Sequence, residues 1–261
     1  MASEAIARHR AARFAICGFC FLFLLAARAI PASWQSAEEL AAWSEERMAR
    51  CDKWMADFTQ GGHMLPMSVV ARGQMMGRMP NQFRMESVVP MFGKQAIWLV
   101  VAGADGVVWQ ELNMEGRVQV IKGRVGGMNG ALPMQDLPLT PQALWKMLRV
   151  NYTLKLGPTM DHEGERLVVL EAIPRDNAEQ ATGEVQEVIA TSPVRLFISA
   201  TDGWPRRVEL LDARREQTLL WCELKNLRFD ESLPDELFRY TPPAGASVVE
   251  LKPPPRLAPS P

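Results

Sequence analysis

Residues 95–122 read QAIWLVVAGADGVVWQELNMEGRVQVIK, which is three runs of β-type residues separated by two turn dipeptides. The runs lie at 95–102, 107–112 and 117–122. The turns are Asp105-Gly106 and Glu115-Gly116. Because such acidic-Gly pairs are typical of tight reversals, we expect each run to fold back antiparallel to the one before it. This stretch therefore predicts an antiparallel β-meander.

The same pattern extends over most of the chain. Further β-type runs are predicted at 67–79, 83–89, 152–156, 166–173, 184–190, 194–200, 205–212, 217–229 and 247–251. Glu163-Gly164 and Asp202-Gly203 mark two more reversals. Many strands joined by such turns indicate a mainly β protein whose meander curls into a barrel or a half-barrel of about 11 strands.

A helix is predicted before the first strand. Ser36 is followed three residues later by Glu39, and this capping-box pattern predicts a helix over 36–56. At 100° per residue its apolar face carries Leu40, Trp43, Met48, Cys51, Trp54 and Met55. We expect this face to pack against the sheet.

A second, short helix is predicted at 140–149 in the middle of the meander. Thr140 stands at a cap position and Pro141 at the first helical position. Leu144, Met147 and Leu148 share one face, and a Gly-rich loop at 123–130 precedes the helix. We interpret the segment as a lid over the concave side of the sheet. A crossover helix that plugs one end of a barrel fits the same periodicity.

The first 29 residues have the order of a secretory signal peptide. Basic residues at 8–13 are followed by 14 apolar residues from Phe14 to Ala27 and by a small-x-small site ending at Ala29. The apolar run is shorter than the roughly 20 residues needed to span a bilayer. We expect cleavage near Ala29 and export of a soluble chain, with an uncleaved membrane anchor as the alternative.

The composition argues against nucleic-acid binding, catalysis and metal binding. With 29 Lys+Arg against 30 Asp+Glu, the chain has no excess of cations to replace the counterions of a nucleic acid. Neither His63 nor His162 has a Cys or carboxylate at metal-ligand spacing, and no Gly-x-Ser-x-Gly or phosphate-loop motif occurs. We therefore expect no enzyme activity, no cofactor and no metal site.

Sulfur-containing residues leave two questions open. Cys51 and Cys222 remain after the predicted cleavage, and they either form a disulfide or stay as free thiols. Methionines within 64–79 could hold Cu(I) through their thioethers. Met75 and Met76 point to opposite sides of a strand, however, which favours their use as adaptable apolar filling.

Several sequence motifs follow one another in order from residue 58 to residue 248. They are Phe58-Thr59-Gln60 after the leading helix, the Gly73–Glu86 stretch with its Pro80-x-x-Phe83 corner, Ala104–Trp109, Leu167–Arg175, Asp202–Arg206, and the closing Phe238-x-Tyr240-x-Pro-Pro-x-Gly-x-x-Val248. Together they resemble the LolA family, the periplasmic carriers of outer-membrane lipoproteins. The resemblance covers nearly the whole chain after residue 30.

The resemblance implies an incomplete antiparallel β-barrel with helices lying across an apolar concavity. It implies one lipid-binding domain over 30–251, followed by a tail at 252–261 whose five prolines predict disorder. It also implies a monomeric periplasmic carrier of lipoprotein acyl chains or other lipids, with inner- or outer-membrane lipoprotein-sorting components as partners. A non-transporting envelope sensor or interaction module with the same fold is the alternative.

The predicted lining of the concavity comes from strand residues and from the inner positions of the lid. These residues are Met85, Val88, Ile97, Leu99, Val108 and Leu112 on strands and Leu144, Met147 and Leu148 on the lid. A register error of one residue would move any strand position to the opposite face.

One position departs from the family pattern. The carriers have an Arg directly before the corner Pro, where it hydrogen-bonds the lid helices. Here Met79 precedes Pro80, and Arg78 is expected to face the other side of the strand.

Overall fold

The computed structural model describes residues 34–62, 69–91, 94–124, 141–175, 191–212, 214 and 217–251. The predicted cleavage site, the predicted strand 184–190, most of the Gly-rich loop and the proline-rich tail lie outside these described residues. All of the elements below belong to the unit Gln35–Pro261.

Strands dominate the described part of the chain. They are β1 (Lys53–Gly62), β2 (Val69–Arg78), β3 (Gln82–Met91), β4 (Lys94–Ala102), β5 (Val107–Met114), β6 (Arg117–Arg124), β7 (Tyr152–His162), β8 (Glu165–Pro174), β9 (Val194–Ser199), β10 (Pro205–Leu211), β11 (Thr218–Phe229) and β12 (Ser247–Glu250). Helix α1 (Ala37–Ala49) precedes β1, helix α2 (Pro141–Asn151) precedes β7, and a 3-10 helix (Asp235–Phe238) follows β11.

The twelve strands form one sheet in the order β12-β6-β5-β4-β3-β2-β1-β11-β10-β9-β8-β7. Neighbouring strands are antiparallel, except that β12 runs parallel to β6. Strands β12 and β7 are the two edges, and the sheet is not closed into a barrel. The prediction of a mainly β, incomplete antiparallel barrel with two helices is therefore confirmed.

Helix α1 is shorter than its prediction. Its start has the predicted cap, because Ser36 Oγ accepts a hydrogen bond of 3.1 Å from the backbone N–H of Glu39. Its end lies at Ala49 rather than at residue 56, so the predicted helix is wrong in its last turns. From Lys53 onward burial alternates, with Trp54 and Phe58 buried and their neighbours less so, and this period of two belongs to a strand.

The cross-strand register sorts the strand side chains into two faces. We call the face that carries Trp54, Val100 and Leu196 the inner face, and the opposite face, which carries Arg72 and Arg207, the outer face. Further buried inner-face residues are Ala56, Phe58, Phe83, Met85, Ala96, Ala102, Val108, Val168, Leu170, Ala172, Ile198 and Leu210. The inner face is thus the main apolar surface of the sheet.

Both helices pack on the β7–β8 end of the sheet and against each other. Trp145 of α2 is fully buried and donates a hydrogen bond of 3.3 Å from Nε1 to Met48 Sδ of α1. Ser44 of α1 donates a hydrogen bond of 2.5 Å to the carbonyl of Gly203, in the β9–β10 turn. These contacts attach α2 to α1, and α1 to the β9–β10 turn.

An aromatic cluster on the inner face lies beside the end of α1. The ring of Trp204 lies 5.3 Å from that of Trp54 and 5.2 Å from that of Phe229. A Cβ atom at Gly77 would lie only 2.4 Å from Trp54 Nε1. The absence of a side chain at Gly77 therefore leaves the space in which the Trp54 indole packs.

The outer face of β2–β6 is partly covered by residues 230–251, which we call the strap. Phe238 and Leu233 of the strap are buried against Met76 of β2. Further along, Tyr240 donates a hydrogen bond of 2.5 Å to Glu111 Oε2, and the strap ends as β12. The closing motif of the sequence therefore lies across the outside of the sheet.

Candidate functional site

A set of partly exposed apolar side chains crosses the inner face on strands β2, β4, β5 and β6. We call it the inner band, and its members are Met75, Trp98, Leu112 and Ile121. Trp98 lies directly opposite Leu112, and Met75 lies opposite the buried Met85. Helices α1 and α2 pack on β7 and β8. Strands β2, β4, β5 and β6 lie in the other half of the strand order, so their partly exposed inner-face side chains keep access to a ligand.

The structure divides the six predicted strand positions between the two faces. Met85, Val108 and Leu112 lie on the inner face, whereas Val88, Ile97 and Leu99 lie on the outer face. Val88 is 44% and Ile97 is 47% exposed. The six residues therefore cannot line one concavity. The predicted faces of Val88, Ile97 and Leu99 were wrong because a shift of one residue along a strand moves a side chain to the opposite face.

Helix α2 presents the predicted apolar face, with one addition. Leu148 is fully buried, while Leu144 and Met147 are half-buried. Trp145, which the prediction left out, is also fully buried. It stands three residues before Leu148, and the i, i+3 spacing of two apolar residues was the signal that could have found it.

The buried polar groups on the inner face are neutral. Among the described residues they are Gln60 of β1, Ser87 of β3 and Gln110 of β5. Ser87 Oγ donates a hydrogen bond of 3.4 Å to the Trp98 carbonyl, and Gln110 Oε1 has no hydrogen-bond partner among the described residues. The buried polar groups that an apolar ligand on this face would meet are therefore hydroxyl and amide groups.

Cys51 and Cys222 are free thiols that lie far apart. Cys222 pairs with Gln60 near the far end of β1, whereas Cys51 precedes Lys53 at its start. They are separated by roughly 20 Å of strand, while a disulfide needs Cα atoms within about 7 Å. The disulfide alternative is thereby excluded. Burial raises the pKa of Cys222 to about 12, so its thiol stays protonated at neutral pH.

A groove of about 480 Å³, which we call the outer groove, lies on the outer face between the β7–β8 turn and β11. Its apolar lining includes Met160, Leu167 and Phe197. Its polar lining includes His162 and the charged residues Glu163, Glu165, Arg206, Arg207, Glu223 and Lys225. The sequence motifs gave no sign of it, because its residues come from strands that are distant along the chain.

The charges of the outer groove neutralise one another. Glu165 accepts two hydrogen bonds of 2.7 Å from Arg206. The ammonium group of Lys225 lies 2.9 Å from Glu163 and 3.2 Å from Glu223. His162, Glu163 and Glu223 could each offer one ligand atom to a metal ion. Because Lys225 already stands between the two carboxylates, we assign no metal to this cluster.

Arg78 faces the outer face, as the alternation along β2 requires. Its guanidinium donates a hydrogen bond of 2.5 Å to Asp235 Oδ1, a second to the Leu233 carbonyl, and stacks over Phe238. Met79, which stands where the carrier family has Arg, directly precedes Pro80. Arg78 therefore holds the strap and is turned away from the helices.

Comparison with known proteins gives similarities of fold at low sequence identity. No family model matches the sequence, and no curated protein matches it either. An uncharacterized conserved protein from Thermus thermophilus is 16% identical, with a TM-score of 0.47 over 82% of this chain and 98% of that one. A LolA superfamily protein from Nitrosomonas europaea is 11% identical, with a TM-score of 0.36 over 79% and 99%.

MucB is also similar, at 16% identity and a TM-score of 0.42 over 78% of this chain. The chain covers 62% of the length of that MucB structure. The family whose motifs the sequence resembles is thus represented among the similar structures.

In the described part of the chain, no helix is both long enough and apolar enough to cross a membrane.

Proposed function

We propose that the protein binds acyl chains of lipoproteins or other lipids on its inner face and carries them through the periplasm. Export would follow cleavage near Ala29. The observation that supports this function best is the inner band, where Met75, Trp98, Leu112 and Ile121 remain partly exposed among buried apolar side chains of the same face.

The size and chemistry of the inner band suit a long apolar chain. From β2 to β6 it crosses four strand spacings, or about 19 Å, a distance comparable to the length of a fatty acyl chain. Each CH₂ group that leaves water contributes about 0.8 kcal/mol. Met75 has a flexible thioether that can adapt to ligands of different shape. The proposal therefore rests on nonspecific apolar contact rather than on a recognition motif.

In this proposal helix α2 is a movable cover. Leu144 and Met147 are half-buried, so part of the apolar face of α2 is not used by the core. These side chains could contact an acyl chain while Trp145 and Leu148 keep the helix attached. The lid function predicted from the sequence remains a prediction.

A non-transporting envelope interaction module is the second candidate function. The outer groove favours it, because an apolar floor surrounded by charged side chains is the composition of a protein-binding surface. In this alternative the partner would bind the outer face, and the inner face would serve as core.

Titration with a fluorescent fatty-acyl probe tests the acyl-binding proposal. Leu112→Glu places a charge in the inner band and should weaken probe binding by about tenfold or more. The matched control is Ile97→Glu, an equivalent change on the neighbouring strand but on the outer face, and it should leave the affinity within about twofold. Circular dichroism would confirm that both variants are folded.

Two results would contradict the acyl-binding proposal. One is a wild-type protein that takes up no probe and carries no lipid through purification, as judged by native mass spectrometry. The other is an equal loss of affinity in folded Leu112→Glu and Ile97→Glu variants.

A further inference from the structure

One cross-strand row of the inner face joins the two ends of the inner band. From β2 to β6 the row consists of Met75, Met85, Val100, Gln110 and Ile121, each directly opposite the next. Met75 and Ile121 belong to the inner band, and Met85 and Val100 are buried. Gln110 is thus the polar side chain in a row that is otherwise apolar.

The side-chain amide of Gln110 is buried, and its oxygen has no donor. Gln110 is 4% exposed, and in the described part of the chain no group donates a hydrogen bond to its Oε1. The nearby buried Ser87, by contrast, donates to the Trp98 carbonyl at 3.4 Å. Most buried polar atoms in folded proteins have a partner, so an acceptor without one indicates a donor supplied from outside the chain.

The surroundings of Gln110 define which donor suits it. Val100 and Ile121 lie directly opposite it, and Val108 and Leu112 lie two positions away along β5, on the same face. All four are apolar. A charged donor would lose its hydration in this environment without a counter-charge. A neutral N–H or O–H group attached to a long apolar chain fits both the oxygen and its neighbours.

We infer that Gln110 selects acyl ligands that carry a neutral hydrogen-bond donor, either an amide N–H or a hydroxyl group. This inference rests on the proposed binding of acyl chains by the inner band. Leu112 and Ile121 are partly exposed on either side of Gln110, so a ligand reaches Oε1 by displacing these side chains. Simple esters and hydrocarbons leave the oxygen unpaired and therefore bind more weakly.

Competition with the fluorescent acyl probe tests the inference with ligands of equal chain length. Wild-type protein should bind N-methyldodecanamide about tenfold more tightly than methyl dodecanoate, a difference of about 1.4 kcal/mol. N,N-dimethyldodecanamide keeps the carbonyl group but lacks the N–H, so it should bind like the ester. A hydroxylated methyl dodecanoate measures in a separate arm whether an O–H group serves as well as the amide N–H.

Two variants assign the preference to one side chain. Gln110→Leu replaces the amide with an apolar side chain of similar size, so the preference for the amide ligand should fall to within about twofold. Its affinity for methyl dodecanoate should stay the same or rise, because no acceptor is left unpaired. Gln95→Leu is the matched control, since Gln95 is exposed on the outer face of β4, and it should keep the tenfold preference.

The outcomes separate this inference from the proposed function. Equal wild-type affinity for the amide, the hydroxylated ester and the plain ester overturns selection by Gln110 but leaves acyl binding intact. A preference that persists in folded Gln110→Leu also overturns it. Chemical denaturation gives a further check, because a clear loss of stability in Gln110→Leu would mean that the amide already has a partner in the free protein. Wild-type protein that binds none of the ligands overturns both proposals.

Discussion

The inner face is packed differently at the two ends of the sheet. On β8 and β9, Leu170, Leu196 and Ile198 are fully buried, and helices α1 and α2 pack at this end. On β4 and β5, Trp98 and Leu112 occupy equivalent inner positions but remain partly exposed. Both regions alternate in the same way and carry apolar side chains of similar size.

This comparison shows that one continuous apolar face can have two roles. Where the helices contact the sheet, the face is a core, and its side chains contribute to the free energy of unfolding. Where side chains remain partly exposed, they contribute less to stability and are available to a ligand. We therefore expect substitutions in the helix-covered region to change mainly stability, and substitutions in the partly exposed region to change mainly binding.

The largest effect is expected in the helix-covered region. Leu196→Ala removes a fully buried side chain from β9 and should lower the free energy of unfolding by about 2–5 kcal/mol. Chemical denaturation followed by circular dichroism measures this loss. A loss below about 1 kcal/mol would mean that the packing around β9 relaxes, and the two regions would no longer differ as described.

Helix α2 should be intermediate between the two regions. Leu148→Ala is expected to cost about 2–3 kcal/mol, because this side chain is fully buried, and Leu144→Ala should cost less. Amide hydrogen exchange in α2 should be faster than in residues 217–224 of β11, as a movable cover requires. Equal, full protection of both segments would identify α2 as a fixed plug of the core.

The sequence was sufficient to predict the sheet because turns and alternation are local signals. Asp105-Gly106 and Glu115-Gly116 fall at the observed β4–β5 and β5–β6 turns, where both glycines have positive φ. The same local signals failed at the end of α1. There, Cys51, Trp54 and Met55 match both a helical face and the start of a strand, and only pairing with β2 and β11 decides between them.

The candidate site could be predicted only in outline. Its apolar character followed from composition and patterning, but the face of Ile97 and Leu99 did not, because a period of two fixes which residues share a face and not which face is inside. Val88 stands three residues after Met85, so alternation along β3 already separates these two side chains. The outer groove depends on Glu165, Arg206 and Lys225, which are brought together by the pairing of distant strands. No local pattern could have revealed it.

Acid should weaken the β7–β8 end of the sheet through Glu165. Burial raises the pKa of Glu165, but hydrogen bonds from Arg206 and Ser199 outweigh it, so the pKa lies below the ordinary 4.5. A lowered pKa contributes stability above pH 4.5 that is lost as the pH falls through the folded-state value. Glu165→Gln should lower the free energy of unfolding at pH 7 by about 1–2 kcal/mol and flatten its acid dependence. An unchanged slope between pH 5 and pH 2 (roughly the range of carboxyl titration) would contradict this.

The smallest effect on stability is expected in the inner band, where it is paired with an effect on binding. Leu112→Ala removes a side chain that is already partly exposed, so it should cost about 1 kcal/mol or less of unfolding free energy. The same change removes apolar contact area from the proposed acyl-binding surface and should weaken binding of the acyl probe by about threefold to tenfold. Leu196→Ala should show the opposite ratio, with a large loss of stability and little change in affinity of the folded protein. If Leu112→Ala instead destabilises as strongly as Leu196→Ala, the inner band is part of the core, and its partial exposure does not mark a binding surface.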